Sequence, residues 1–428
     1  GSSEDYFGIA VCIFEETAFV GSPYDDEFQS DQGSVSIFER LNGLWNETQK
    51  IIASDSILNA WFGSSIDCEN DTIIVGSFGH ISSRGRAYIF SKSQSTWIEE
   101  STLIPSTYQL QNSDLFGYSV SLSNMIAVVG CPSCDPNSIS NAGIVFIFKK
   151  TSSNWTENAS LTHQTPSSYA QFGLSVSIDE DILLIGCPYD SQMKSNGGSS
   201  HLYEKSTSND SWILTNQFIP IDLKSFDYFG TSVSLSKSFG LIGSSQPNGP
   251  GKAYLIQKEN STSTWKIASK LIPSNPINDA QFGFSLDLYN GWSIIGSPQA
   301  NVRNITQTGS IYLFGYSDID NDSIPLDLTS CDNCPSSHNI NQTNYDQDYQ
   351  GNACDPCPFI AFQDPNDIDI DGIPDICDNC PNSMNSNQSN IDFDSKGDIC
   401  DECPSFKYPS FVNSCVCSSF SSKWNQES

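Results

Sequence analysis

Carboxylates recur at alternate positions in the segment DIDIDGIPDICD, which begins at Asp367. If Asp367 is position 1, aspartates also occupy positions 3, 5, 9 and 12, and Gly372 is position 6. Side chains at these positions, together with the main-chain carbonyl of position 7, are the oxygen ligands of a calcium loop. Hard oxygen ligands without histidine or thiolate favour calcium over transition metals. The segment therefore predicts a calcium site formed by Asp367, Asp369, Asp371, Ile373, Asp375 and Asp378.

The same register recurs 23 residues upstream and 23 residues downstream. A solvated, disordered acidic tail would not reproduce this register. A further set begins upstream, but Ser323 replaces the glycine there, so it matches the calcium pattern only in part. We expect several calcium ions in the tail. The upstream loop is Asn344, Asp346, Asp348, Asn352 and Asp355, the downstream loop is Asn390, Asp392, Asp394, Asp398 and Asp401, and the partial set is Asp318, Asp320 and Asp322.

Cysteines accompany these loops at regular intervals. The chain has fifteen, and from Cys331 to Cys403 gaps of 3 and 20 residues alternate. Regular spacing in a segment with almost no apolar core predicts a ladder of disulfides. The pairs of like size are Cys334–Cys354, Cys357–Cys377 and Cys380–Cys400, with Cys403 bonded to Cys415 or Cys417 and Cys331 left without a counterpart. Zinc is the alternative for CxxC pairs, but the intervening runs lack histidine.

The remaining five cysteines precede the tail. Cys131 and Cys134 are close enough in sequence to pair, which leaves Cys12, Cys68 and Cys187. Because the total is odd, one thiol is either free or bridges two chains.

Residues 1–317 contain a repeat of about 55 residues. A Phe-Gly pair recurs six times, at Phe7, Phe62, Phe116, Phe172, Phe229 and Phe282. Each pair opens a short alternating strand, and a polar turn and an apolar strand ending in glycine follow, as in QFGLSVSIDEDILLIGCP. A third strand follows a polar loop, and a fourth begins at a tryptophan in the first five units. Four short strands per repeat predict the blades of a β-propeller, with phenylalanine wedged between blades and glycine allowing close backbone approach.

The pattern FGxSVSL, xIIVGSP, GxAYIF and W resembles the FG-GAP repeats of integrin α-subunit heads, over about residues 5 to 316. The resemblance implies a propeller that serves as an interaction platform. The turns between the first two strands are short and lack a DxDxDG run, so the resemblance does not carry propeller calcium sites to this chain. The expected fold class is mainly β, with six visible repeats and completion to a seventh blade left open.

The tail, CDNCPNSMNSNQSNIDFDSKGDICDECP for example, resembles thrombospondin type 3 repeats over about residues 318 to 404. Such repeats wrap around calcium ions and are held by disulfides, with little regular secondary structure. The predicted domains are residues 1–317, 318–404 and a cysteine-containing segment 405–428.

The charge of the chain is strongly negative and concentrated in the tail. The formal net charge is −31, and residues 318–428 contain 20 acidic and 3 basic residues. Such a chain repels nucleic acid and anionic lipid, so neither is an expected partner. No apolar run approaches the roughly 20 residues that span a bilayer, so direct membrane insertion is not expected. No signal peptide is recognisable, as expected of either a processed secreted chain or a segment of a longer one.

Ten Asn-x-Ser/Thr sequons support an extracellular location. Chance alone would produce several in a chain rich in asparagine and serine. The candidate glycosylation sites are Asn46, Asn70, Asn154, Asn158, Asn209, Asn260, Asn304, Asn321, Asn341 and Asn387.

The sixth repeat lacks a tryptophan strand before the tail begins. Either the last blade has three strands or an outer strand comes from elsewhere. The C-terminal SSFSSKWNQES resembles the start of a fourth strand, so Trp424 is a candidate to complete a blade within the chain or in a neighbouring copy. Donation to a neighbour would build filaments.

No catalytic arrangement is visible. His80, His163, His201 and His338 are scattered and belong to no known catalytic motif. The favoured function is therefore a non-enzymatic, calcium-binding extracellular glycoprotein with an adhesion or matrix role, whose ligand is a protein or a glycan. The alternative is a subunit of a surface filament that binds copies of itself, and a secreted hydrolase is the remote third.

Overall fold

The structure is a computed structural model of the 428-residue chain. It describes residues 5–151, 154–208, 210–247, 249–258, 264–273, 276–289, 291–301, 308–315, 334, 337, 343–346, 351–355, 357–360, 367–371, 373–391 and 396–401. The chain divides into two compact units, residues 1–314 and 315–428.

The first unit is a six-blade β-propeller, and each blade is an antiparallel sheet with its strands in chain order. Blades 1 to 5 have four strands, and the described part of blade 6 has three. Blade 1 is β1 Val11–Phe14, β2 Thr17–Ser22, β3 Ser34–Leu41 and β4 Leu44–Ile51; blade 2 is β5 Ser65–Glu69, β6 Thr72–Ser77, β7 Arg86–Ser93 and β8 Thr96–Leu103; blade 3 is β9 Ser119–Ser123, β10 Ile126–Cys131, β11 Ile144–Thr151 and β12 Asn154–Thr162. Blade 4 is β13 Ser175–Asp179, β14 Ile182–Cys187, β15 Ser199–Lys205 and β16 Trp212–Phe218; blade 5 is β17 Phe229–Ser236, β18 Phe239–Ser244, β19 Lys252–Lys258 and β20 Trp265–Leu271; blade 6 is β21 Leu286–Tyr289, β22 Trp292–Ser297 and β23 Ser310–Gly315.

Helical structure is confined to two short turns in this part of the chain, His80–Ser83 and Pro136–Ser138. Over the described ranges, no helix is long and apolar enough to cross a membrane.

The apolar second strands lie in the interior of the propeller, as the sequence predicts. Every residue of β10 is buried, because neighbouring blades cover both of its faces. The fourth strand is the outer one and alternates between exposed and covered residues, as in β12. The pairing of the third strand with the fourth shifts register at the same place in all five four-stranded blades. Such an irregularity increases the local twist of the sheet.

The Phe-Gly pairs join consecutive blades. The phenylalanine side chains of repeats 2 to 6 are 0% exposed, and Phe116, for example, packs edge-on against Phe146. Beside each pair, the glycine that ends the second strand of the preceding blade approaches the next backbone closely. A Cβ added to Gly186 would lie 2.0 Å from the carbonyl oxygen of Gly230. The same contact recurs at Gly21, Gly76, Gly130 and Gly243, with 2.0 to 2.1 Å to the next blade.

Two apolar faces of the propeller are uncovered. On blade 1, Phe7, Val11 and Ile13 are 60%, 65% and 62% exposed, whereas the matching residues of blade 4 are buried. On blade 6, Ile311 and Leu313 are 70% and 47% exposed, although their counterparts in blade 3 are fully buried beneath blade 4. Where two inner blades are neighbours, the surfaces equivalent to these two faces pack against each other. We call them the blade 1 face and the blade 6 face.

Two disulfides lie in the propeller. Cys131 pairs with Cys134, as predicted, and Cys12 of blade 1 pairs with Cys68 of blade 2. The second bond links the first strands of two blades across 56 residues of sequence, so blade 1 is covalently attached to its neighbour.

The second unit contains no helix or strand in its described residues. Disulfides join Cys334 to Cys354, Cys357 to Cys377 and Cys380 to Cys400, the three pairs that the spacing predicts. Cys334, Cys357 and Cys380 are buried, so the sulfur bridges take the place of an apolar core. Cys331, Cys403, Cys415 and Cys417 lie outside the described residues.

The close glycine contact can be tested with one substitution at two equivalent positions. Gly186→Ala should destabilise the propeller by about 3 kcal/mol, because the new methyl group meets a backbone carbonyl that cannot move independently. Gly296→Ala, its counterpart in blade 6, meets the side-chain oxygen of Ser285 at 2.3 Å but no backbone atom closer than 3.5 Å. Because a serine hydroxyl can rotate, this control should cost less than about 1 kcal/mol. Denaturant unfolding measures both, and equal losses would show that the blade 6 face is covered in solution.

Candidate calcium loops, central ring and aromatic belt

The loop from Asp367 to Asp378 brings three carboxylates together. Oxygen atoms of Asp367, Asp369 and Asp371 lie within 4.8 Å of one another. Main-chain N–H groups fix the first and third of these side chains: Ile370 donates to Asp367 Oδ1 at 2.8 Å, and Ile373 donates to Asp371 Oδ1 at 2.9 Å. The chain thus curls around its own carboxylates, as a calcium loop requires.

Position 9 of each loop is held by the same hydrogen bond. The N–H of position 2 donates to the side-chain oxygen of position 9 at 2.8 to 2.9 Å in all three loops. The three pairs are Tyr345 to Asn352, Ile368 to Asp375 and Ile391 to Asp398. Position 12 is also fixed, since Cys357 donates to Asp355 and Cys380 donates to Asp378, both at 2.7 Å. In these two loops a cysteine therefore positions the last ligand.

The carboxylates of the central loop are not satisfied by protein donors alone. Both oxygens of Asp369 and the Oδ2 of Asp378 are shielded from solvent without a well-formed hydrogen bond. Desolvation and the nearby carboxylates of Asp371 and Asp378 raise the pKa of Asp369, although the N–H groups of Asp371 and Ser383 act in the opposite direction. Buried carboxylate oxygens that repel one another need a cation. The donor set fits calcium.

The candidate ligands divide into two groups. The described loops contain Asn344, Asp346, Asn352, Asp355, Asp367, Asp369, Asp371, Ile373, Asp375, Asp378, Asn390, Asp398 and Asp401. Asp318, Asp320, Asp322, Asp348, Asp392 and Asp394 lie outside the described residues.

In the propeller, the sixth residue of each Phe-Gly strand takes part in a ring of contacts between blades. Asp67 Oδ2 accepts hydrogen bonds from the Ser121 hydroxyl and the Leu122 N–H, both at 2.8 Å. Ser121 accepts from Ile178 of blade 4 at 3.1 Å. The ring continues where Ser177 accepts from Leu235, and Ser234 donates to Asp287 Oδ1 at 3.0 Å. Asp67 is partly buried, and its desolvation outweighs these hydrogen bonds and raises its pKa to about 6.

Aromatic side chains form a row at the end of the blades where the first strand begins and the second strand ends. We call this row the aromatic belt. Tyr118 is 37% exposed, Phe226 is 48% exposed and Tyr6 is 62% exposed, while the other members are half-buried. Successive ring centroids are 4.9 to 6.4 Å apart in two runs, Tyr6–Tyr24–Trp61–Phe78–Tyr118 and Tyr189–Tyr228–Phe226.

Sequence reasoning missed the belt. Its members stand beside a Phe-Gly pair, as Tyr118 does directly after Phe116-Gly117, or just after the glycine of the second strand, in loops without strand periodicity. The signal that could have found them is the repeat itself, because both loops lie at the same end of every blade.

Two of the scattered histidines meet at the joint between blades 3 and 4. The rings of His163 and His201 are 4.5 Å apart and both are buried. Burial and the neighbouring His163 lower the pKa of His201 to about 3, so this ring is neutral. His80 is buried separately in blade 2, and His338 lies outside the described residues. His163 and His201 are 38 residues apart in sequence but meet in the fold. The expectation that the histidines are scattered was therefore wrong for this pair.

The remaining propeller cysteine has a defined place. Cys187 is free and buried, and its thiol donates to the Ala170 carbonyl at 3.2 Å. Burial raises the pKa of the thiol well above its usual value, so Cys187 is poorly suited to bridge two chains.

Five candidate glycosylation sites can be placed. Asn46, Asn70, Asn154, Asn158 and Asn387 are all exposed. Asn46 lies on β4, and Asn154 and Asn158 lie on β12, which are outer strands. Asn209, Asn260, Asn304, Asn321 and Asn341 lie outside the described residues.

Comparison with protein-family models matches the FG-GAP repeat to four segments, residues 1–38, 45–90, 97–148 and 155–203. These segments contain most of the strands of blades 1 to 4. A search of curated proteins found no match. The first four blades of the propeller therefore contain FG-GAP repeats.

The partly buried carboxyl group of the central ring should produce a pH dependence of stability. Because the pKa of Asp67 is raised in the folded state, its contribution to stability is complete below about pH 4 and is lost as the pH rises through 6. The loss should amount to about 3 kcal/mol. Denaturant unfolding from pH 4 to 7 should therefore give a flatter profile for Asp67→Asn than for the wild type, whereas Asp71→Asn, an exposed aspartate, should keep the wild-type profile. Parallel profiles for wild type and Asp67→Asn would refute the assignment.

Proposed function

With a propeller of FG-GAP repeats as the starting point, we propose that this chain is a non-enzymatic, calcium-binding extracellular glycoprotein with an adhesion or matrix role. FG-GAP propellers suggest an interaction platform, and the disulfides fit a secreted or cell-surface protein. The propeller binds the partner, and the tail serves as a spacer stiffened by calcium.

The aromatic belt is the observation that carries the binding role. A row of half-exposed rings crosses five blades, so a ligand can contact several repeats at once. Large aromatic side chains dominate the energetics of protein interfaces. Their edges are already packed against one another, which reduces the conformational entropy lost on binding.

The chemistry of the belt favours a cationic side chain of a partner protein. Aromatic faces attract an arginine or lysine cation. The whole chain is acidic, with 50 acidic and 19 basic residues, so its field also attracts positive charge. A glycan, whose apolar sugar face could stack on the same rings, is the alternative ligand.

In the tail, calcium supplies the energy that an apolar core supplies elsewhere. The resemblance to thrombospondin type 3 repeats agrees with loops whose carboxylates converge and whose disulfides are spaced alike. Without a cation these carboxylates repel one another. Calcium binding is therefore coupled to ordering of the segment.

A second candidate is a repeating subunit of an extracellular filament. It is favoured by the uncovered faces of blades 1 and 6 and by β23, which is the edge strand of the described part of blade 6. Contiguous exposed apolar surface commonly marks an interaction site. A strand donated by the segment around Trp424, which lies outside the described residues, would extend that edge in a neighbouring copy.

The ligand chemistry can be tested with 5-fluorotryptophan-labelled protein. Acetyl-arginine amide should shift the ¹⁹F resonance of Trp61, whereas acetyl-citrulline amide, its uncharged isostere, should not. Trp61→Phe assigns the resonance. Tyr118→Ala should weaken the response about threefold or more, and Tyr289→Ala, which removes an exposed ring of blade 6 outside the belt, should not. A shift with N-acetylglucosamine instead would favour the glycan, and no shift with any probe would reject the belt as the binding surface.

Removal of calcium should affect the tail selectively. Chelation should make the tail protease-sensitive and leave the propeller intact, because only the tail depends on the ion for its order. Asp369→Asn should produce part of this sensitivity with calcium present, whereas Asn382→Asp, at an exposed residue between two loops and outside the sequons, should not. Equal sensitivity of both units on chelation would contradict the proposal.

Light scattering and electron microscopy of the same preparations separate the two candidate functions. A monodisperse monomer with and without calcium favours the adhesion module, and calcium-dependent polymers with a regular repeat favour the filament.

A further inference from the structure

His163, Asp190 and His201 form a compact cluster where blade 3 meets blade 4. His163 follows β12, Asp190 follows β14, and His201 lies in β15. They are 3%, 3% and 1% exposed, and one potential ligand atom from each lies within 4.8 Å of the others. The Ser199 hydroxyl lies between two of them, 2.7 Å from Asp190 Oδ2 and 3.0 Å from His201 Nε2.

The hydrogen bonding of the cluster is incomplete. His163 Nε2 and His201 Nδ1 are buried ring nitrogens without a hydrogen-bond partner. The distance from His163 Nε2 to Asp190 Oδ2 is 3.6 Å, which is too long for a hydrogen bond. It is close to the roughly 3.4 Å that separates two ligands of a tetrahedral ion with bonds of about 2.0 to 2.1 Å.

The other blades show what this joint contains without the cluster. At the position of His201, blades 2 and 5 have Tyr88 and Tyr254, whose hydroxyls donate to Asp55 and Asp222 at 2.6 and 2.9 Å. The positions equivalent to His163 hold Ala53, Pro105, Pro220 and Pro273. The equivalent joints have a phenol or phenyl ring at the position of His201 and alanine or proline at the position of His163. Only the joint between blades 3 and 4 has an imidazole at both positions within the described residues.

The buried carboxylate also lacks the fixed cation that its counterpart has. In blade 1 the equivalent residue, Asp25, accepts from Ser34 and pairs with Lys50 at 2.5 Å. In blade 4 the position of Lys50 is taken by Gln217, and no lysine or arginine within the described ranges pairs with Asp190. Asp190 accepts hydrogen bonds from the Ser199 hydroxyl and from the Gln192 N–H at 3.1 Å, but both donors are neutral, and a carboxylate this deeply buried also favours a nearby positive charge.

We propose that His163, Asp190 and His201 bind one divalent transition-metal ion, with Zn²⁺ as the probe, and that the ion joins blade 3 to blade 4. Two imidazole nitrogens and a carboxylate oxygen are a donor set typical of zinc. The Ser199 hydroxyl or a water completes the tetrahedron. Cys187 is not a ligand, because its thiol donates to Ala170.

Binding through His163 Nε2 requires the ring proton to reside on Nδ1. That atom now accepts from the Thr165 N–H at 3.1 Å, and the Thr165 hydroxyl is 3.4 Å away. When the metal binds, the proton moves from Nε2 to Nδ1, the hydrogen bond from the Thr165 N–H to Nδ1 breaks, and Nδ1–H donates to the Thr165 hydroxyl oxygen. The ring then has the hydrogen bond that orients most metal-bound histidines.

The experiment measures zinc retained by the full chain after dialysis in millimolar calcium, which keeps the tail carboxylates occupied. Wild type should retain one zinc ion per chain. His163→Gln and His201→Gln should each lower the affinity for zinc by at least about 100-fold, so that dialysis removes the ion. His80→Gln, at a buried histidine remote from a second imidazole, should leave the stoichiometry unchanged.

Two further measurements keep the outcome decisive if a variant fails to fold. X-ray absorption of the zinc-loaded wild type should report two imidazole ligands, and Co²⁺ should give the visible absorption of a tetrahedral site. His201→Tyr, which installs the residue of blades 2 and 5, should fold and lose the metal. Failure of wild type to retain zinc, or unchanged retention in folded His163→Gln, would overturn the proposal. Neither result bears on the aromatic belt or the calcium loops.

Discussion

The propeller depends on how closely one blade can approach the next. At five successive joints, a glycine at the end of a second strand lies against the backbone of the following blade with no room for a methyl group. In repeats 2 to 5 this approach also lets the serine at the fourth position, counted from the phenylalanine, donate to the glycine carbonyl of the next Phe-Gly pair, as Ser175 does to Gly230 at 2.9 Å. It also seals the phenylalanine at each joint from water. Burial of both faces of every inner sheet follows from this single steric condition.

The two units of the chain are stabilised by different physics. The propeller buries large apolar clusters between blades, as small sheets that are apolar on both faces require. The tail buries three cysteines instead and arranges carboxylates that repel one another. The first unit thus owes its order to the expulsion of water, and we propose that the second owes its order to an ion.

Much of this could be predicted from the repeats. Their spacing gave the strands, the wedged phenylalanines, the outer tryptophan strands and the three tail disulfides, because each depends on local residue type repeated in register. The Cys12–Cys68 bond was not predicted, since the two cysteines occupy different positions of their repeats and meet only when two first strands pack side by side. The histidine pair was hidden for a related reason. It forms across a joint between blades, and the sequence of a single repeat carries no information about such a contact.

The two end blades of this array do not have the same protection against fraying. Local opening starts at units that have one packed neighbour instead of two, and blades 1 and 6 each have an uncovered face. Blade 1 is tied to blade 2 by Cys12–Cys68, so its separation is limited even when its strands loosen. No disulfide ties blade 6 to blade 5 among the residues that the structure describes. Its β21–β23 sheet is therefore the part of the propeller whose amide hydrogens exchange first. Local opening of the array is directional, and it begins at the C-terminal blade.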